Sequence, residues 1–385
     1  MKVYIATTVS FPSGMAATNR IKCYAKGLIT NGAECEVITT SAKGGGNDES
    51  IPYKRFCKYS YNPHSRIMLA FINRYNVLHQ AIYLRNNLKE NDVVLFYGME
   101  IWVGMLYWVS CYLKNAKLIS ELCEIPYYDN KIKNKIKRWI QINLFFKIFD
   151  GFIPISEELL KLATRYGSLK AKKLKVPILI DQSRVNTFST TTNNNPFFDL
   201  PYIFYAGTIS EHKDGIISSV KAFIEASKSL SFPIYYIIAG PQSEDLLSIQ
   251  LLATEFDFES KIIYIGNISD QEVISFLQRS TLFISYKKDN IQNRNGFSTK
   301  LGEVLVSQVA IITTTIGEHN YYLKDGESAY IVEPGMIGAI AEKIVQAFTC
   351  PSERKRIAET GRNIALKEFD CISQGRNILA FLENL

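Results

Sequence analysis

Short apolar runs alternate with longer amphipathic ones along residues 1–180. KVYIATT reads as a buried strand, and ATNRIKCYAKGLITNG as a helix ending at Gly32. ECEVITT is the next strand, followed by a Gly-rich loop at Lys43–Asn47, a further strand-like piece and two helical stretches. NDVVLFYG, AKLISEL and FDGFIPIS continue the series. The pattern then restarts. PYIFYAGT, FPIYYIIAG, SKIIYIGN, STLFISYK and VAIITTT are strand candidates, most of them followed by a helix, and SDQE at Ser269–Glu272 is a capping box. The polar stretch 181–200, with its Thr/Asn run, reads as a linker. Such alternation predicts the α/β class: two doubly wound domains, 1–180 and 201–365, with ligands at the carboxyl ends of the strands and in the cleft between domains. Residues 366–385 are helical in pattern, and packing back on the N-terminal domain is one arrangement open to them.

Composition narrows this only a little. The chain has 385 residues, enough for two domains that each bury a core. Its seven cysteines are scattered, with no C-x-x-C pair, which suits reduced thiols in a cytoplasmic compartment and offers no zinc spacing. MKVYIATTV is too short an apolar run for a secretory signal. IWVGMLYWVSCYL (Ile101–Leu113) is too short to span a bilayer and reads as a buried helix. Charge adds more. Residues 1–180 carry 26 Lys and Arg against 13 Asp and Glu, whereas the remainder carries 18 against 24. A basic half suits an anionic partner: nucleic acid, phospholipid or a phosphorylated acceptor. No nucleic-acid recognition motif is present, so nucleic acid is not expected.

Two stretches of the second half carry candidate chemistry. In FYAGTISEHKDG (Phe204–Gly215) a strand ends at Gly207, where a ligand can approach bare backbone, and Lys213 offers charge for a phosphate. In RNGFSTKLGEVL (294–305) a Gly-bearing loop feeds a helix that begins near Ser298. Its free N–H groups and positive dipole end suit a diphosphate, with Ser298 and Thr299 adding hydroxyls. Glu303, about a turn further in, can accept both hydroxyls of a ribose. The alternative for each is an ordinary strand–loop–helix with a solvated lysine or glutamate. In the first half, NKIKNKIKRWIQINLFFKIF (Asn130–Phe149) pairs an apolar stripe with Lys133, Lys137, Arg138 and Trp139. That composition suits an anionic membrane interface, the alternative being a core helix with a solvated basic face. Of the four histidines only His319, after TTTIGE, falls in a loop facing the expected cleft.

The order and spacing of these stretches resemble the C-terminal half of glycosyltransferase family 4, whose members are retaining enzymes with two Rossmann-like domains facing a cleft, the GT-B architecture. IIAGPQSED (Ile237–Asp245), YIGNISDQEVISFLQRSTLFIS (Tyr264–Ser285), TTTIGEHNYYLKDGESAYIVEPG (Thr313–Gly335) and SERKRIAETGRNIALKEFD (Ser352–Asp370) add to the likeness, as do PISEELL and KVPILID before the linker. Two positions depart from it: Thr208 replaces an arginine, and Asn295 replaces the first of two glutamates, leaving Glu303 as the second. The resemblance implies a nucleotide-sugar donor bound by Gly207, Thr208, Lys213, Asn295, Gly296, Phe297, Ser298, Thr299 and Glu303. It implies a base contact at Gly266, Asn267 and Ile268. Catalytic duty would fall on Glu121, Lys213 and Asn295, with Gly14, Arg20 and Glu124 on the acceptor side. Glu121 and Glu124 stand near a point where many family members have histidine; a structural glutamate at a strand end is the other reading for either. An asparagine at 295 can still donate to and accept from sugar hydroxyls.

The same likeness implies no metal and no cofactor, the nucleotide sugar being a co-substrate; no Asp-x-Asp motif occurs. The acceptor would be a glycan or lipid-linked sugar at the cytoplasmic membrane face, placing the protein in the cytoplasm with a peripheral membrane location. Two other readings stand beside this one. A sugar-nucleotide epimerase of the same fold would need acids and a histidine around the anomeric carbon. A membrane or nucleic-acid binding protein would keep only a vestigial donor pocket.

Overall fold

The computed structural model describes residues 1–41, 50–57, 65–126, 131–183 and 195–385. The Gly-rich loop 43–47 and the Thr/Asn run of the linker lie outside them. The chain divides into two compact units, Met1–Ile180 with Phe369–Leu385, and Asp181–Glu368.

The first unit is built on a parallel sheet of strands β1 (Lys2–Thr7), β2 (Glu34–Thr39), β3 (Tyr53–Arg55), β4 (Val93–Tyr97), β5 (Lys117–Leu122), β6 (Gly151–Pro154) and β7 (Lys172–Lys173). Their order is β3-β2-β1-β4-β5-β6-β7. Ile5 of β1 lies opposite Val37 on one side and Leu95 on the other. All five residues of β4, VVLFY, are buried, as befits a central parallel strand covered by helices on both faces. The short β7 has no clear apolar signature and is a strand only through its pairing with β6.

The segment Phe369–Leu385 completes this unit. Ile180 donates its N–H to Phe369 and accepts from Cys371, which ties the two ends of the unit together at 2.8 and 2.9 Å. The helix Cys371–Glu383, capped by the Asp370 carboxylate on the Ser373 N–H, then lies along the helix Ala16–Thr30. Gly375 meets Gly27 there, backbone against backbone, so that a side chain at either position would strike the other helix.

The second unit has strands β8 (Tyr202–Ala206), β9 (Tyr235–Ala239), β10 (Ile262–Gly266), β11 (Leu282–Ser285), β12 (Ile311–Thr314) and β13 (Tyr330–Val332). The order is β10-β9-β8-β11-β12-β13, again all parallel. The five strand candidates of this half all appear; β13 is added by its pairing with β12. The capping box forms, Ser269 accepting from the Glu272 N–H while the Glu272 carboxylate accepts from the Ser269 N–H.

One expectation fails. The helix Ile101–Tyr112 is not wholly buried: Val103, Gly104, Tyr107 and Cys111 face the core, but Trp102, Met105, Val109 and Tyr112 are exposed on its other side. A run apolar on all faces carries no periodic signal to tell the two sides apart. Among the described residues, no helix is long and apolar enough to cross a membrane.

A Gly375→Leu substitution tests the close helix pair. Overpacking of this kind costs about 1–3 kcal/mol. The three tryptophans, Trp102, Trp108 and Trp139, all lie in the first unit, so urea unfolding followed by their fluorescence reports on that unit. The midpoint should fall; an unchanged midpoint would mean that this helix is not packed at Gly27.

Candidate functional site

The strand order of the second unit reverses between β8 and β11, and the carboxyl ends of strands at such a reversal are where open parallel α/β sheets bind their ligands. The loop after β8 begins at Gly207, whose φ of +134° is open to glycine and strained for other residues. Its N–H is held by the Ala239 carbonyl at 3.0 Å, and the adjacent Gly240 approaches the Gly207 carbonyl so closely that no side chain would fit. The carboxyl ends of β8 and β9 are therefore bare backbone. The Ser210 hydroxyl then accepts from the Lys213 N–H and opens the single turn Glu211–Asp214.

That turn is stitched to the loop after β11 by charge. Asp214 is buried; its Oδ1 pairs with Lys287, and its Oδ2 accepts from Lys300 Nζ at 2.7 Å and from the Tyr205 hydroxyl at 2.7 Å. Lys300 also reaches the Tyr205 hydroxyl at 3.1 Å. Burial alone would raise the Asp214 carboxyl, but Lys300 and Lys287 more than offset it and hold the group below the usual carboxylate range. Burial lowers Lys287, against the pull of Asp214. It also pushes the Tyr205 phenol well up, so Tyr205 remains a proton donor. Further out, Lys288 pairs with Glu211 at 2.6 Å, and Asn290 Nδ2 donates to the His212 carbonyl at 3.0 Å.

The stretch 294–305 follows. A short helix, Ile291–Asn295, ends with the Asn295 amide donating back to the Ile291 carbonyl at 2.8 Å. Gly296 turns the chain, and Phe297 is buried, stacked on Tyr322 at 5.4 Å. Ser298 is the N-cap of the helix Thr299–Val306, with its hydroxyl making no cap bond to that helix. Thr299 and Glu303 are half-buried, one turn apart on it. His319 is buried beside Phe297 and bonded to the Thr313 hydroxyl at 2.6 Å. Burial, together with Lys287, pushes its imidazole down to about 3, so it stays neutral at physiological pH. At the end of β10, Gly266 has φ +75°, with Asn267 exposed and Ile268 half-buried beyond it.

Gly207, Thr208, Asn295, Gly296, Phe297, Ser298, Thr299 and Glu303 thus fall on the two loops, and the helix they feed, at the strand reversal. Lys213 is there too, but exposed on the rim. Tyr205, Asp214, Lys287 and Lys300 escaped the sequence reading. One signal was present: Lys300 is in the first turn of its helix, where the dipole disfavours a cation.

In the first unit two expectations need correction. Arg20 and Glu121, read as acceptor-side and catalytic, are both 2% exposed and are held by each other, Arg20 Nε to Glu121 Oε1 at 2.7 Å. Arg20 also donates to the Pro177 and Val176 carbonyls and to the Tyr24 hydroxyl. Burial opposes the Arg20 charge, but Tyr24 and Glu121 outweigh it and raise the group. Burial raises the Glu121 carboxyl. Neither side chain presents charge to solvent; the pair clamps β5 to the helix Ala16–Thr30 and to the segment after β7. Gly14 and Glu124 are exposed. Gly14 lies against Thr18, whose hydroxyl donates to the Ser10 carbonyl at 2.7 Å.

The basic helix spans Ile132–Asn143. Ile132, Ile136 and Trp139, at i, i+4 and i+7, are 78, 56 and 59% exposed, so its apolar stripe is not in the core. Lys133 is exposed and Lys137 and Arg138 are half-buried around it. Lys137 also lines an open groove of about 650 Å³ with Trp102, Met105, Leu106 and Val109 of the neighbouring helix.

Comparison with known proteins adds three findings. Residues 190–364 match the family model of glycosyl transferases group 1. A stretch of 170 residues is 29% identical to the capsular polysaccharide biosynthesis glycosyltransferase CapM of Staphylococcus aureus, covering 43% of this chain and 42% of that protein. The chain therefore spans less than half the length of this curated relative. Among solved structures, sucrose-phosphate synthase of Thermosynechococcus elongatus superposes with a TM-score of 0.75 at 12% identity over the whole of both chains. HepE of Anabaena, in complex with UDP-glucose, gives 0.72 at 13% identity, also over both whole chains. At such identities the likeness is one of fold, and that fold is the two-domain Rossmann-like architecture of GT-B glycosyltransferases.

The Arg20–Glu121 pair is open to test. Arg20→Met or Glu121→Leu alone leaves a buried charge without its partner, a loss of about 3–5 kcal/mol, whereas the double replacement recovers most of it. Urea unfolding measures all three. Single variants of unchanged stability and reduced turnover would return the pair to a catalytic role.

Proposed function

We propose that the protein moves a sugar from a nucleotide-sugar donor to a hydroxyl acceptor during polysaccharide assembly, a reading supported by the match of residues 190–364 to the model of glycosyl transferases group 1. The observation that carries this reading is the grouping at the β8/β11 reversal. There, strand ends stripped of side chains, lysines and a helix N-terminus meet within the domain that matches the family. These are the features a nucleoside diphosphate needs: close backbone approach, positive charge and N–H donors. Glu303 accepts the ribose hydroxyls, Asn295 meets the sugar, and Gly266–Ile268 borders the base. HepE holds UDP-glucose, so UDP-sugars are the first donors to try.

In the reaction the bond from the anomeric carbon to the diphosphate oxygen breaks. A bond from the same carbon to the acceptor oxygen forms on the same face, and the acceptor proton passes to the departing diphosphate. Lysine and the helix end neutralise the leaving group, which makes a divalent ion unnecessary. Asn295 removes one negative charge near the sugar, consistent with a shift in donor choice. The CapM match over 170 residues supports a surface-polysaccharide role, with a glycan or lipid-linked acceptor. The exposed stripe of Ile132, Ile136 and Trp139, ringed by Lys133, Lys137 and Arg138, supports a peripheral location on an anionic cytoplasmic membrane face.

Two measurements test this. In a thermal-shift panel of nucleotide sugars at least one donor should raise the melting temperature. Glu303→Gln should weaken that donor by roughly ten- to a hundredfold, the range of a lost charged hydrogen bond. Asn295→Glu should instead alter which donor is preferred. The reverse ranking would mean that these residues do not hold ribose and sugar.

Sedimentation with vesicles tests the membrane part. The protein should pellet with vesicles containing anionic phospholipid and be released by salt. Trp139→Ala combined with Lys133→Glu and Lys137→Glu should lower binding several-fold without shifting the melting temperature. Equal binding to neutral vesicles, or no effect of the triple change, would remove this helix from the membrane surface.

A further inference from the structure

The geometry points to Lys300 as the residue that grips the donor's diphosphate, held ready at the strand end by Asp214; this rests on the donor reading above. Among the described residues four lysines stand on the loops after β8 and β11 and the helix they feed, and their surroundings differ. Lys288 is half-buried and paired with Glu211. Lys287 is 7% exposed, paired with Asp214 Oδ1 and close to the Lys213 carbonyl, so it has no route outward. Lys213 is exposed on the outer rim. Lys300 lies between these extremes, with about a quarter of its side chain open to solvent. Its Nζ occupies the space over Gly207 that a side chain at that position would need. The cation therefore sits directly against the end of β8.

Charge and donor counting agree with this position. One carboxylate, Asp214, serves two ammonium groups, so the cluster of Lys287, Lys300 and Asp214 keeps one positive charge in excess. An ammonium has three N–H donors. Asp214 Oδ2 and the Tyr205 hydroxyl take two of those on Lys300, which leaves the third for a ligand oxygen. The Tyr205 ring centroid lies 4.5 Å from Nζ and adds a cation–π contact that holds the ammonium in place.

The helix adds a separate argument. Lys300 is the second residue of Thr299–Val306, and no acidic residue stands in that first turn. A cation at the positive end of a helix is unfavourable. Asp214 offsets this in part, and an anionic ligand would offset the rest, since the helix end and the ammonium would then attract the same group. Phosphate oxygens on a diphosphate fit that demand and a neutral sugar does not. Tyr205 and Asp214 act as positioning residues: they hold Nζ at one point, so little rotamer freedom is lost when the ligand binds.

Calorimetric titration of the full chain with UDP, UMP and uridine separates the possibilities; GDP, ADP and dTDP are added if UDP fails to bind. The wild type should bind a nucleoside diphosphate more tightly than its nucleoside. Lys300→Met should weaken the diphosphate by tenfold or more and leave the nucleoside unchanged, Lys300→Arg should recover most of the loss, and Lys213→Met should cost less than Lys300→Met. Equal diphosphate affinity in Lys300→Met, or parallel loss of diphosphate and nucleoside, overturns the role of Lys300 and leaves the donor reading intact. Failure of the wild type to bind any of the four diphosphates overturns both.

Discussion

One buried carboxylate organises the candidate site. Asp214 ends the turn after β8, yet both of its charged partners come from the far side of the sheet reversal, Lys287 from the loop after β11 and Lys300 from the helix that this loop feeds. Parallel strands leave the loops at a reversal without mutual hydrogen bonds, so something else must set their spacing. Here it is an ion triad whose members are mostly out of water, where attraction is strong and an unmatched charge is costly. The Tyr205 hydroxyl supplies a further donor to the same carboxylate. With this triad in place, the surrounding contacts of Lys288 with Glu211 and of Asn290 with the His212 carbonyl need only trim the loops.

The two units differ in what they offer to the outside. The second shows bare strand ends and positive charge at one restricted spot, in a unit whose sequence is acidic overall. The first is basic and leaves apolar side chains exposed on two of its helices, Ile101–Tyr112 and Ile132–Asn143. Exposed tryptophans and isoleucines bordered by lysines are a combination that water alone does not favour.

The parts of the fold that could be read from sequence were those fixed by local pattern. The β-branched runs of β4 and β9, the capping box at Ser269 and the helix start at Ser298 each depend on residues a few positions apart. The candidate site was legible to the same extent: Gly207, Phe297 and Glu303 carry local signals. What escaped depends on partners distant in sequence. Arg20 and Glu121, read as an acceptor-side and a catalytic group, are buried together by the fold. Lys300 drew no reading from the sequence, and only the meeting with Asp214 and Gly207 gives it a position. Exposure of one side of Ile101–Tyr112 was hidden because every face of that helix is apolar.

The glycine contact between the helices Ala16–Thr30 and Cys371–Glu383 carries a consequence for the chain in time. A ribosome makes the first 180 residues, then all of the second unit, and only then the segment that closes the first. During that interval the buried faces of Ala25, Leu28 and Cys35 lack the cover of Cys371, Ile378 and Leu382 that their shared core requires. The second unit, continuous in sequence, has no such wait. Domains usually fold in order of emergence, N-terminal first. Here the order is inverted at the last step, and the nascent protein must pass through a state with a finished second unit beside a first unit still open along one helix.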